Sequence, residues 1–309
     1  MTLSLKRTKG KILVIRGGAI GDFVLTLPAF RALREQFPET HIEALGYPHI
    51  AQLALAGGFV DEVRSIEARP LASFFARRGR LSAEMAEYFS SFSLIISYLY
   101  DPDGIFQENV RSVSKAQFIV GQHRPDEEQP LHAAEVFLKP LERLAIYEAD
   151  FEPRIEFGGG ANGGRQVVAL HPGSGSERKN WPLRDWVSLI ERLLTETQHE
   201  LLIVGGEADR ERLATLASQY TGNRVRILQG AHLSELAREL GRAKLFIGHD
   251  SGVTHIAAAV GAPVVALWGP SNPVIWKPLG EKVRVIQTQG SLATLKPEAV
   301  WEQIAPLLA

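Results

Sequence analysis

The sequence predicts an α/β protein built from two Rossmann-like halves, each with a parallel sheet, and three observations carry that prediction. Short apolar runs recur along the chain, separated by segments of helical spacing, the pattern of successive βαβ units. The alternation stops at Phe157 to Gly164, FGGGANGG, the most glycine-dense stretch, and restarts after it. Between Lys244 and Pro278 a complete βαβ unit is spelled out, KLFIGHDSGVTHIAAAVGAPVVALWGPSNPVIWKP. The expected domains are therefore residues 1–156 and 165–309, joined by a flexible linker at 157–164, with a cleft between them.

Each element of the first half has a local reason. Lys11 to Arg16, KILVIR, reads as a buried strand and is followed by Gly17-Gly18-Ala19-Ile20-Gly21-Asp22. A helix follows, with Phe23, Leu27, Phe30 and Leu33 at helical spacing. This loop misses the dinucleotide fingerprint: with Gly18 and Gly21 in the second and third glycine positions, Arg16 stands where the tight turn needs the first. Asp22 has two readings. It is either a first-turn acid that complements the helix dipole or a base projecting from a glycine loop. Later strands are expected at His41 to Gly46, Glu62 to Ile66, Leu94 to Tyr98 and Gln117 to Gly121. Residues 70–92 join Phe74 and Phe75 to Arg77, Arg78 and Arg80, a pattern that suits either an anionic membrane surface or a solvated face. Asp101-Pro102-Asp103-Gly104 contains a D-x-D, but Asp-Pro and Asp-Gly are turn chemistry, so no metal is expected there.

After the linker, strands are expected at Gln166 to His171, Leu201 to Gly205, Arg224 to Leu228, Leu245 to Gly248, Pro263 to Trp268 and Lys282 to Gln287. The last helix, Pro297 to Leu308, is expected to pack back on the first half. In a parallel sheet the loops after these strands share one edge, where ligands of open α/β sheets bind. His171 to Pro182, HPGSGSERKNWP, offers small residues at Ser174, Gly175 and Ser176, through which amides approach an anion, and a cation at Lys179. Glu207 follows the next strand and suits a ribose diol. Asp250, Ser251, Gly252 and His255 crowd the loop and first turn of the helix Val253 to Val260. Helix N-termini favour anions, and a cap needs one such residue rather than four. Together the three loops ask for a nucleotide diphosphate.

Composition limits the alternatives. With 309 residues, 45% of them hydrophobic, the chain is long enough for two cores. Thirty-four basic residues against 35 acidic ones leave a formal charge of -1, so no general field favours nucleic acid. There is no cysteine, hence no disulfide, thiolate metal site or cysteine nucleophile. Apolar runs fall short of the about 18 residues of a membrane span, and MTLSLKRTKGK lacks a signal-peptide core. A cytosolic protein is expected.

The segments HPGSGSERKNWP, D-S-G-x-x-H-x-A-A followed by W-G-P-S-N-P, and G-D-F-V-L-T-L-P-A-F-R-A-L-R near the N-terminus resemble the bacterial ADP-heptose:lipopolysaccharide heptosyltransferases, glycosyltransferase family nine. The resemblance runs in order from about Lys11 to Leu279. It implies a GT-B fold with an acceptor-binding N-terminal domain, a donor-binding C-terminal domain, inversion at the anomeric carbon, and no metal or cofactor. Matched by position, Asp22 is the implied base, flanked by the acceptor-side glycines Gly17, Gly18 and Gly21. Ser174 and Lys179 are phosphate contacts, Glu207 a ribose contact, and Asp250, Ser251, Gly252 and His255 the donor loop. The implied partners are ADP-heptose and a lipid A-linked core oligosaccharide, met at the cytoplasmic face of the inner membrane. Three other readings stay open: a glycosyltransferase with another donor or acceptor, an NAD-dependent oxidoreductase, and a non-catalytic sugar-nucleotide-binding protein.

Overall fold

The computed structural model describes residues 10–77, 79–157, 166–220, 222 and 224–309. By contacts the chain divides into two units: Met1–Gly18, Thr26–Pro125 and Ala133–Phe151 form one, and Ala19–Leu25, Asp126–His132 and Glu152–Ala309 the other. Two short segments of the expected first half, Ala19–Leu25 and Asp126–His132, thus group with the second; no change of composition marks them in the sequence. Of the linker expected at 157–164 all but Phe157 lies outside the described residues, and the Arg238 guanidinium sits 4.8 Å from the Phe157 ring centroid.

The first unit carries a parallel sheet of β1 (Lys11–Arg16), β2 (Ile42–Gly46), β3 (Glu62–Ser65), β4 (Phe92–Ser97) and β5 (Gln117–Val120), in the order β3-β2-β1-β4-β5. Its helices are α1 (Ile20–Gln36), whose first turn falls in the second unit, α2 (Pro48–Ala56), α3 (Ala83–Ser90), α4 (Ile105–Val113) and α5 (Ala133–Leu138). Central strands covered on both faces read as continuous apolar runs, and Leu13, Val14 and Ile15 are accordingly fully buried. The segment 70–92 is only partly a surface: Phe74 lies in the core with its ring centroid 4.8 Å from that of Phe89, and Arg77 pairs with Asp103 at 3.7 Å. Arg78 lies outside the described residues. The Asp101 carboxylate accepts from the amides of Phe106 and Gln107 at 3.2 and 3.0 Å, so it caps the start of α4.

The second unit carries β6 (Val167–His171), β7 (Glu200–Gly205), β8 (Val225–Gln229), β9 (Leu245–His249), β10 (Val264–Trp268) and β11 (Val283–Gln287), all parallel, in the order β11-β10-β9-β6-β7-β8. Its helices are α6 (Leu183–Glu196), α7 (Arg210–Gln219), α8 (Leu233–Gly241), α9 (Gly252–Ala259), α10 (Pro273–Trp276) and α11 (Pro297–Leu308). From β6 the chain proceeds outward one way through β7 and β8, then returns to the other side of β6 for β9, β10 and β11. The ends of β6 and β9 are therefore the switch point at which ligands of such sheets bind. On α6, Trp186, Leu189, Ile190 and Leu193 recur at i, i+3, i+4 and i+7 and are all buried. Burying such side chains contributes about 1.5–3 kcal/mol each. Helix α11, expected against the first half, places Val300, Ile304 and Leu308 in this same core, because its apolar stripe meets that of α6. Among the described residues no helix is long and apolar enough to cross a membrane.

Candidate functional site

The loops after β6, β7 and β9 meet at the switch point, and the structure brings most of the expected residues there together. Lys179, in a 3-10 turn after β6, places its Nζ 2.5 Å from Asp250 Oδ2 at the end of β9. These two residues are 71 apart in sequence and form an ion pair, so the cation of the site comes with its own counter-charge. Ser174 is turned inward: its hydroxyl lies 2.7 Å from Asn180 Oδ1 and 2.9 Å from the Ser176 carbonyl, and it accepts from the Ser176 amide at 3.3 Å. Gly175 between them takes φ 73, the left-handed conformation that lets the loop double back. Glu207 stands apart on the surface, with its side chain 89% exposed and 3.1 Å from Arg210.

Beneath these loops lies a buried polar network that sequence reasoning missed. His171 ends β6 and His249 ends β9; both read as the tail of an apolar run or the start of a loop. His171 Nε2 is 3.2 Å from Asp209 Oδ2, and its Nδ1 is 3.2 Å from Ser251 Oγ. The same Asp209 oxygen accepts from the Gly206 amide at 2.9 Å. Burial opposes the Asp209 charge, yet the bonds from His171 and Gly206 outweigh it and hold the carboxyl below its ordinary value. Space is tight here: a Cβ on Gly173 would stand 1.7 Å from Asp209 Oδ1. His249 accepts at Nε2 from the Trp181 amide, 2.9 Å, and from Trp186 Nε1, 3.3 Å. Its Nδ1 must then carry the proton, which it donates to the Gly173 carbonyl at 3.0 Å. A neutral imidazole thus ties the loop after β6 to the end of β9.

Ala19–Leu25, which carries the first turn of α1, belongs to the second unit and meets α9 within it. A Cβ on Gly21 would stand 3.3 Å from His255 Cδ2, and one on Gly252 would stand 2.5 Å from Ile20 Cβ. The first turns of α1 and α9 are in contact, and that contact needs glycine at 252. Asp22 is half-buried, and its Oδ2 accepts from the Ala19 amide at 3.2 Å, so the first-turn acid does cap its helix. Gly18 takes φ 98, and both Gly17 and Gly18 fall in the first unit. Arg16, the mismatch in the dinucleotide fingerprint, is buried with its guanidinium 4.4 Å from the Phe137 centroid and 2.9 Å from the His123 carbonyl.

Metal-ligand chemistry lies elsewhere. Among the described residues His41, Glu43 and Glu62 are the cluster with ligand atoms within 4.8 Å of one another. Glu43 there already accepts from Arg64 at 3.1 Å and from the Tyr88 hydroxyl at 2.6 Å, which leaves a poor site for a cation.

Two buried histidines give the site a pH signature. Burial pushes His249 down to about 3, with the nearby His171 and Arg212 acting in the same direction against the Gly173 bond. Burial likewise pushes His255 down to about 4, against the pull of Asp250. The unfolded chain, with histidine near about 6.5, takes up these protons first as pH falls. Stability is therefore full above about pH 6.5 and drops by about 1.4 kcal/mol per pH unit for each histidine until the folded values are reached. Urea unfolding followed by tryptophan fluorescence should show the midpoint falling between pH 7 and pH 5; a flat midpoint would contradict the neutral, buried assignment.

Two parallel Rossmann-like sheets flanked by helices are the architecture of the GT-B fold. The model of glycosyltransferase family 9 (heptosyltransferase) matches residues 133–304, more than half of the chain, and the protein belongs to that family. It is 30% identical over 166 residues to lipopolysaccharide heptosyltransferase 2 of Salmonella typhimurium, an alignment that takes in 47% of each chain. It is 22% identical over 349 residues to lipooligosaccharide heptosyltransferase 2 of Haemophilus influenzae, covering 96% of this chain and 99% of that one. The solved structure of ADP-heptose lipopolysaccharide heptosyltransferase II of Escherichia coli superposes with a TM-score of 0.77 at 21% identity, over 96% of this chain and 98% of that one.

Proposed function

We infer that the protein transfers a heptose from ADP-heptose to a lipid A-linked oligosaccharide of the lipopolysaccharide inner core, with inversion and without a metal. The observation that supports this reading is the contact between the first turns of α1 and α9, in which Gly21, the chain neighbour of Asp22, packs against Gly252 and His255. In that arrangement the diphosphate lies on the amides at the start of α9, with Lys179 as its cation. The acceptor hydroxyl gives its proton to Asp22 as it attacks the anomeric carbon, and the bond from that carbon to the ADP oxygen breaks in the same step. Glu207, exposed in the loop after β7, is assigned to the ribose hydroxyls in this reading. The donor and acceptor are those of the related heptosyltransferases, and a cytoplasmic location is part of this reading.

The basic segment 70–92 is assigned to the membrane surface, where the lipid-linked acceptor lies. Phe75, 46% exposed, Arg77 and Arg80 are exposed in this segment, while Phe74 is buried.

The experiment is a donor panel of ADP-heptose, other ADP-sugars, UDP-sugars and NAD, with released nucleotide read by mass spectrometry. ADP should appear only with ADP-heptose and acceptor together, at the same rate in EDTA. Release from a UDP-sugar instead would overturn the donor, NAD turnover would restore the oxidoreductase reading, and loss in EDTA would overturn the metal-free mechanism.

A further inference from the structure

Ser251 stands at the N-cap of α9, where a serine ordinarily turns its oxygen onto the amide two or three residues on. Here its side chain makes no capping bond, and its Oγ faces His171 Nδ1 at 3.2 Å instead. The opposite nitrogen of that ring meets Asp209 at 3.2 Å, and all three side chains are buried, with exposures of 9% for Ser251, 3% for His171 and 5% for Asp209. The geometry points to Asp209 as a positioning residue: through His171 it holds Ser251, and with Ser251 the first turn of α9, in the form that receives the donor diphosphate.

The hydrogen positions follow from the acceptors. A carboxylate donates nothing, so the ring carries a proton on Nε2, toward Asp209, and where that is its only ring proton Nδ1 accepts from the Ser251 hydroxyl. Thr254 Oγ1, 3.2 Å from Ser251 Oγ, donates to the His249 carbonyl and closes the far side of the turn. Burying an acid and an imidazole is costly, and apolar side chains of the same volume commonly serve stability as well or better. What the polar pair adds is direction. It commits the Ser251 hydroxyl inward, so the helix amides rather than the serine side chain are presented to an anion. The chain Asp209, His171, Ser251 also joins the loop after β7, expected at the ribose, to the loop after β9, expected at the phosphates. The inference rests on the ADP-sugar reading of this site.

The test is a double-variant cycle on ADP affinity, measured by calorimetry with the full chain. Asp209→Ala and Ser251→Ala should each weaken ADP binding about tenfold. Because both act through one ring, the double variant should be weakened about tenfold as well, not about a hundredfold. Asp209→Asn, which keeps an acceptor oxygen toward His171 and Gly206, should recover most of the affinity. Multiplied effects, no weakening in the single variants, or no recovery with Asn would overturn the inference. Nitrogen-15 spectra of the unaltered protein provide an arm that needs neither nucleotide nor a folded variant: the His171 proton should be on Nε2, and a proton on Nδ1 alone would overturn the assignment. If the unaltered protein bound no ADP, the proposed function would fail, and the ring proton would still decide the relay.

Discussion

Asp22→Asn should lower kcat by about a hundredfold to ten-thousandfold while leaving ADP affinity within a few-fold. An inverting transfer must remove the acceptor proton during attack, and the amide cannot accept it. The structure sharpens this test, because Asp22 has a second occupation as the cap on the Ala19 amide at 3.2 Å. A cap of that kind is worth about 0.3 to 1 kcal/mol of stability and nothing to chemistry. Asparagine retains a carbonyl oxygen for the Ala19 amide, so the helix start should survive and the loss should fall on the chemical step. Thermal unfolding of the variant within a few degrees of the original, together with steady-state rates, separates the two roles. Turnover within a few-fold of the original would leave Asp22 as a helix cap only.

Lys179→Ala should lower kcat by about a hundredfold or more. Charge builds on the diphosphate as the sugar departs, and a fixed cation counts for more there than in the ground state. The ion pair makes the expected loss larger than removal of one cation: without Lys179 the Asp250 carboxylate, 2.5 Å away in the intact site, is left as an anion beside an anionic leaving group. The double variant Lys179→Ala with Asp250→Ala should therefore bind ADP better than Lys179→Ala alone. Steady-state kinetics and calorimetry on the three variants check both statements. Unchanged turnover in Lys179→Ala would place the phosphate site elsewhere.

The fold was largely legible because its strands are covered on both faces and so appear as uninterrupted apolar runs. The strand expected at Leu245 to Gly248 runs to His249, and that expected at Leu94 to Tyr98 runs from Phe92 to Ser97. The site was legible where chemistry is local. Asp250, Ser251, Gly252 and His255 crowd six positions, and Lys179 follows a loop of small residues. What escaped depends on pairing between distant strands. His171 faces Ser251 only because β6 lies beside β9, a neighbour relation that crosses about half of the second unit's sequence. Asp209 reads as an ordinary helix-start acid two residues beyond Glu207, yet Asp209 is the one that turns inward while Glu207 stays on the surface. Arg16 reads as a defect in a nucleotide loop and proves to be a buried support within the first unit, stacked near Phe137.

Gly173 and Asp209 occupy the same small volume from two sides, since any side chain at 173 would begin 1.7 Å from the acid's oxygen. The two positions are consequently not free to drift separately. A single substitution at 173 collides with the carboxylate, whereas one at 209 that shortens the side chain first opens the space. Either order of change through this loop thus costs His171 its partner: a side chain at 173 pushes the carboxylate aside, and shortening the residue at 209 removes it.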